Sequence, residues 1–185
     1  MKLGWATLKQ PAPKPGEISW ERGERFAGEL RAHLGIPHGP LTNGTLEQFL
    51  DAKLPLAKSV WRGGRHFRGG FRDDESRGRT AVLVTSSIGD SQRFYLAQLI
   101  GAALAAPVDQ HVLPVTDAGT ALQKFERAFA QALLCPWADL DAFTDESGTD
   151  DDGIAEASAY FEVSELLVRS ALVNKEKIPR GRLPA

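Results

Sequence analysis

The sequence predicts an α+β fold in which helices pack on a small, mostly antiparallel sheet. Several segments repeat apolar residues at the three- and four-residue spacing of an amphipathic helix. Residues 58–87 instead carry β-branched and aromatic residues between glycine pairs, as strands and tight turns do. The 185 residues, 42% of them hydrophobic, are enough to bury a domain core without disulfides or a structural metal.

Residues 1–18 form a predicted tail or linker. Three prolines, two lysines and a glycine within residues 6–17 favour extended, solvated backbone. We expect either a linker that follows a preceding segment or a frayed tail. No apolar run is long enough for a signal peptide or a membrane span, and Cys135 is the one cysteine, which suits a reducing compartment. The expected location is therefore the cytoplasm, with no membrane contact.

The elements follow in order along residues 19–142, the predicted main domain. A first helix is capped by Ser19 and stopped by Gly35, and a Thr-x-x-Gln capping box opens a second helix at 45–54. Strands are predicted for 58–64, 65–74 and 79–87, with glycine pairs at their turns. Two long helices follow at about 91–106 and 117–134, each ended by a nearby proline.

Residues 143–185 are predicted to hold an acidic loop and a helical pair that packs on the same domain. The loop, 143–153, is rich in Asp, Gly and Ser but lacks the alternate acids of a calcium loop. The two helices are 154–161 and 164–174, the second capped by Ser164. Their outline is that of a helix-turn-helix, with Glu162 at the turn position that usually holds glycine.

Four pieces of the chain, in the right order, resemble the ImmA/IrrE family of zinc metallopeptidases. They are the entry helix "WERGERFAGELRAHLGI", "QRFYLAQLIGAAL", "QKFERAFAQALLCP" and "ASAYFEVSELLVRSALVN". At the second piece the family reads Arg-Arg-Phe-Thr-Leu-Ala-His-Glu-Leu-Gly-His, and the third corresponds to its Glu-x-x-Ala-Asn-x-Phe-Ala. The likeness spans roughly residues 19 to 180 and implies a zincin-like helix pair.

The resemblance also implies that the metal site is lost. The family's first zinc-binding histidine falls on Gln98, its general-base glutamate on Leu99 and its second histidine on Ala102. The downstream acidic ligand falls near 123–125, where this chain has Gln123, Lys124 and Phe125, and Glu126 is close but out of frame. Zinc peptidases need two imidazoles one helical turn apart and a carboxylate beside the metal-bound water. The chain is therefore expected to have no catalytic residues and to bind no metal or cofactor.

A residual cleft is the predicted binding site for a small ligand or a partner peptide. Its expected lining is Arg93, Gln98, His111 and Glu126, with His111 read as an exposed loop residue and Glu126 as a solvated helix residue. One alternative stays open, in which these or other residues build a displaced metal site and the protein is an active metallopeptidase.

A second alternative is a DNA-binding regulator that uses the helical pair at 157–172. Arg169 is the basic residue that its second helix offers, and three glutamates nearby oppose phosphate. The arginines within 62–79, including Arg65, Arg68 and Arg72, are predicted to form a solvated sheet face rather than a phosphate surface. We therefore expect no direct nucleic-acid binding by this domain.

The function expected from the sequence is that of a non-catalytic regulatory, sensor or protein-interaction module. The resemblance links such a module to transcriptional regulation in stress or phage response. Its expected partners are a protein or the upstream DNA-binding domain, and the oligomeric state is left open.

Overall fold

The computed structural model describes residues 14–50, 67–74, 79–84, 89–106, 112–116 and 119–183. The helices are α1 (Ser19–His33), α2 (Asn43–Leu50), α3 (Gly89–Ala105), α4 (Ala121–Leu134), α5 (Trp137–Ser147), α6 (Asp151–Phe161) and α7 (Glu165–Asn174). The strands are β1 (Phe67–Asp74), β2 (Arg79–Val84) and β3 (Val112–Thr116), and a short 3-10 turn covers Arg180–Arg182. Within this part of the chain, no helix is both long enough and apolar enough to cross a membrane.

The predicted α+β class is wrong, because the protein is mainly helical. The buried core side chains that the structure describes lie on the seven helices and on the segments that join or follow them. The strand segments contribute a backbone ladder in the antiparallel order β2-β1-β3 beside α3. The strand predicted at 58–64 lies outside the described residues.

Helix α4 is packed between α1 and α3 at the centre of the core. A Cβ at Gly23 of α1 would lie 2.5 Å from the Phe125 carbonyl oxygen and 2.9 Å from the Phe129 nitrogen. A Cβ at Gly101 of α3 would lie 2.7 Å from a ring carbon of Phe129. Two glycines therefore let both neighbouring helices approach α4 closely.

The helix starts differ in detail from their predictions. Ile18, not Ser19, is the N-cap of α1, and its backbone nitrogen donates to Glu21 Oε2 at 3.3 Å. Helix α2 begins at Asn43, where the Thr42 hydroxyl accepts from the backbone nitrogen of Thr45 at 3.2 Å. The first turn of a helix leaves backbone N–H groups without partners inside the helix, and a nearby polar group accepts from them. When the helix starts one or two residues away from its predicted start, a different neighbouring group takes this role.

The acidic loop predicted at 143–153 is wrong except at 148–150, because α5 continues to Ser147 and α6 already begins at Asp151. The Thr144 hydroxyl donates to the Leu140 carbonyl oxygen at 2.9 Å inside the helix. Asp141 and Asp145, one turn apart, both pair with Lys177 from the segment after α7, the second at 2.7 Å. A distant lysine thus stabilises a helix whose composition alone resembles a loop.

The C-terminal helices α6 and α7 form the expected pair, joined by a tight turn. Glu162 adopts the left-handed conformation with φ 53°, which is the position where glycine is usual. The Ser164 hydroxyl accepts from the Leu167 nitrogen at 3.2 Å, so the predicted cap is confirmed. Lys175, just past α7, pairs with Glu24 of α1 at 2.8 Å and ties the pair to the core.

Candidate functional site

The positions at which the resemblance places peptidase residues are packed. Leu99 is 0% exposed, Ala102 4% and Phe125 1%, and all three belong to the hydrophobic core. Gln98 is also buried, at 3%, but its side chain borders an open cleft, which the other three do not. Three of the four positions, Leu99, Ala102 and Phe125, have hydrocarbon side chains. None of these three side chains can bind a metal or transfer a proton.

Arg93 does not line the cleft as predicted but connects three segments. Its side chain is 6% exposed and donates to the Leu41 carbonyl oxygen at 2.6 Å. It also hydrogen-bonds to Asn43 Oδ1 at the start of α2 and pairs with Glu162 Oε2 at 2.9 Å. The guanidinium therefore holds α3 against α2 and against the turn of the C-terminal pair.

Glu126 is not the solvated helix residue that was predicted, since it is 1% exposed. Its Oε2 atom has no hydrogen-bond partner among the described groups. Burial raises the pKa of this carboxyl from 4.5 to about 7, against a smaller lowering by the charge of Arg127. A signal was present in the sequence, because residue 126 belongs to the same repeating stripe as Phe129, Ala130 and Leu133.

Arg31 is a buried polar residue that the sequence analysis did not single out. It is 1% exposed and donates to the carbonyl oxygens of Leu133 at 2.6 Å, Pro37 at 3.4 Å and Gly39. Desolvation lowers the pKa of the guanidinium, and the charge of nearby Asp139 opposes that effect. Arg31 thus supplies hydrogen-bond donors to carbonyl oxygens at the end of α4 and in the loop after α1. This role is structural rather than catalytic.

An open cleft of about 860 Å³ lies among α1, α3, α4 and α7. We call it the α4–α7 cleft. Its volume is within the range of ligand-binding sites, roughly 300–1,000 Å³. Of the four predicted lining residues, Gln98 borders it, Arg93 and Glu126 do not, and His111 lies outside the described residues. Its described lining includes four basic side chains and several apolar ones: Lys124, Arg127, Lys175, Arg180, Trp20, Phe94, Tyr95 and Leu166.

Sequence reasoning missed this cleft because its walls come from segments far apart in the chain. Trp20 is near the start of α1, Lys124 is on α4 and Leu166 is on α7. The available signal was weak: Trp20 and Leu166 are large apolar residues at helix positions outside the core stripe, and they are 47% and 53% exposed.

The residues considered for nucleic-acid contact are not brought together into one described surface. Arg169 is occupied by two carboxylates, Asp151 at 3.0 Å and Glu165 at 3.2 Å. Arg68 and Arg72 are on β1, where Arg72 pairs in register with Ala81 and Val112, and Arg65 lies outside the described residues. A phosphate that approached Arg169 would have to compete with both acids.

The described residues contain no group of three or more His, Cys, Asp and Glu side chains arranged to hold a metal ion. Compared with protein-family models and with curated proteins, the sequence matches neither a family model nor a curated relative.

Proposed function

We propose that the chain is a non-catalytic interaction module, an ImmA/IrrE-like domain in which the peptidase site has been filled and a neighbouring cleft binds a partner. The observation that carries the proposal is the burial of Leu99, Ala102 and Phe125 at the positions where the resemblance places a general base and two metal ligands. Zinc-peptidase chemistry requires polar side chains that face a metal-bound water. A packed core at these positions supports a role in binding rather than in hydrolysis.

The α4–α7 cleft supports the binding half of the proposal. It is open to solvent, it combines basic with apolar side chains, and Gln98 from the peptidase-like helix borders it. Protein-interaction sites typically pair an apolar centre with a polar rim. We propose a regulatory or sensor role in the cytoplasm, linked to transcription through a protein partner or an upstream DNA-binding domain. The contacts of Arg169 with two acids favour this reading over direct DNA binding by the helical pair.

Zinc content and protease activity test the proposal. After dialysis of the purified chain against a weak chelator, elemental analysis is expected to find far less than one zinc per chain, and casein is expected to stay intact. Retention of about one zinc per chain together with casein cleavage would instead establish the active metallopeptidase with a displaced site.

A triple variant gives the matched comparison. Gln98→His, Leu99→Glu and Ala102→His restore the helix ligands, yet we expect no casein cleavage from it. Phe125 still occupies the region of the third ligand, and a carboxylate at position 99 enters a fully buried environment, at a cost of several kcal/mol if unpaired. Cleavage by the triple variant would show that a usable metal site remains in the frame.

A further inference from the structure

The α4–α7 cleft has the opposite charge to the whole protein. The chain carries a formal net charge of −2, whereas the described lining of the cleft includes four basic side chains and one acidic side chain, Glu24. Glu24 is already paired with Lys175 at 2.8 Å. Lys124 and Arg180 are exposed and have no ion pair within the described part of the chain. A basic cleft in an acidic protein attracts a negatively charged occupant.

The cleft also has apolar side chains in its lining. Trp20 of α1 is 47% exposed and Leu166 of α7 is 53% exposed, while Phe94 and Tyr95 of α3 are half-buried. A small inorganic anion would leave these side chains in water. An occupant that covers them must carry apolar groups of its own, so charge alone does not describe it.

We propose that the α4–α7 cleft binds a short acidic peptide segment of a partner protein, one in which carboxylates alternate with apolar side chains. Its carboxylates meet Lys124 and Arg180, and its apolar side chains pack against Trp20 and Leu166. The volume of about 860 Å³ fits a segment of this kind. This inference deepens the interaction-module proposal and rests on it.

Single-stranded nucleic acid is the competing occupant, because cations interleaved with aromatic rings also bind bases and phosphates. The charge of α7, which forms one wall, and of α6, which packs on α7, argues against it. Asp152, Glu156 and Glu165 are exposed on α6 and α7, so a phosphate backbone that extended beyond the cleft would meet acids. A peptide needs only one or two carboxylates within the cleft and avoids this repulsion.

Fluorescence anisotropy with the full chain tests the inference. The probe is a labelled hexapeptide of alternating aspartate and leucine, and its control replaces each aspartate with lysine. We expect the acidic peptide to bind and the basic peptide not to bind. Lys124→Glu should weaken binding of the acidic peptide at least tenfold, because the variant loses the attraction of Lys124 for carboxylates and gains a repelling carboxylate. Lys14→Glu, the same charge change at an exposed site that is not among the cleft residues, should leave binding unchanged.

The apolar part is tested with Leu166→Ser, an exposed position where the fold should be retained. This variant should bind the aspartate–leucine peptide about threefold or more weakly. The midpoint temperature of thermal unfolding, followed by circular dichroism, should stay unchanged. Equal losses in Lys124→Glu and Lys14→Glu, binding of the basic peptide, or displacement of the acidic peptide by oligothymidylate would overturn the inference. Absence of peptide binding by a zinc-free, inactive protein overturns it as well, whereas one retained zinc with casein cleavage overturns the underlying interaction-module proposal.

Discussion

The two long faces of α4 meet opposite surroundings. One face, with Phe125, Phe129 and Leu133, is closed by α1 and α3, and these side chains are at most 1% exposed. The other face, with Lys124, Arg127 and Gln131, borders the α4–α7 cleft. One helix therefore supplies the core with one face and the cleft with the other.

The largest expected effect on the closed face comes from Arg31→Met. The substitution leaves the carbonyl oxygens of Leu133, Pro37 and Gly39 without their donor in a buried place. We expect the free energy of unfolding, measured by urea denaturation, to fall by about 3–5 kcal/mol.

Arg25→Met is the matched control on the same helix. Arg25 pairs with Glu17 at 2.7 Å and with Glu29 at 2.8 Å at the solvent boundary, so its loss should cost about 1 kcal/mol or less. Similar losses in the two variants would mean that the closed face does not depend on the buried guanidinium.

Glu126 gives the next largest effect, and it depends on pH. The folded state raises the pKa of this carboxyl from 4.5 to about 7, so between these values the folded protein holds more protons than the unfolded chain. The contribution of Glu126 to the free energy of unfolding should therefore be fully present below about pH 4.5. It should be lost as the pH rises through about 7. The full effect at pH 8 is on the order of 3 kcal/mol.

Glu126→Gln should remove this dependence, since a neutral amide has no buried charge to desolvate. In urea denaturation, the free energy of unfolding of Glu126→Gln should increase relative to that of the wild type from pH 5 to pH 8. Glu146→Gln, at an exposed position of α5, should differ from the wild type by a constant free energy of unfolding over that range. A constant difference between Glu126→Gln and the wild type would contradict the assignment of the buried charge.

A smaller effect separates two glycines of α1. Gly23→Ala brings a methyl group against the α4 backbone, 2.5 Å from the Phe125 carbonyl oxygen, and should cost about 1–3 kcal/mol. Gly28→Ala has nothing within 4 Å of the added methyl group, so it should stabilise the helix by about 0.5–1 kcal/mol. The midpoint temperature of thermal unfolding should fall for Gly23→Ala and rise for Gly28→Ala. A gain from both would show that α1 is not tightly packed on α4.

Local signals in the sequence predicted much of the helical structure. The stripe of α4 and the Ser164 cap depend on neighbouring residues, and both are present in the structure. The amphipathic pattern predicted for α3 is wrong, because α3 is buried at every position from 96 to 102. The class could not be predicted from strand-like composition, because a run of β-branched residues says nothing about which element supplies the core. The burial of Glu126 and the walls of the cleft depend on how α1 and α7 lie against α4, which is a matter of tertiary packing.

The chain's one cysteine follows α4 directly and is 2% exposed. Burial and the charge of Asp139 raise the pKa of the Cys135 thiol to about 12, so at neutral pH it stays protonated and shielded from reagents. A thiol-directed label can then reach it only in molecules whose helix end has opened. The rate of labelling in buffer without denaturant would therefore report how often this end of the core opens.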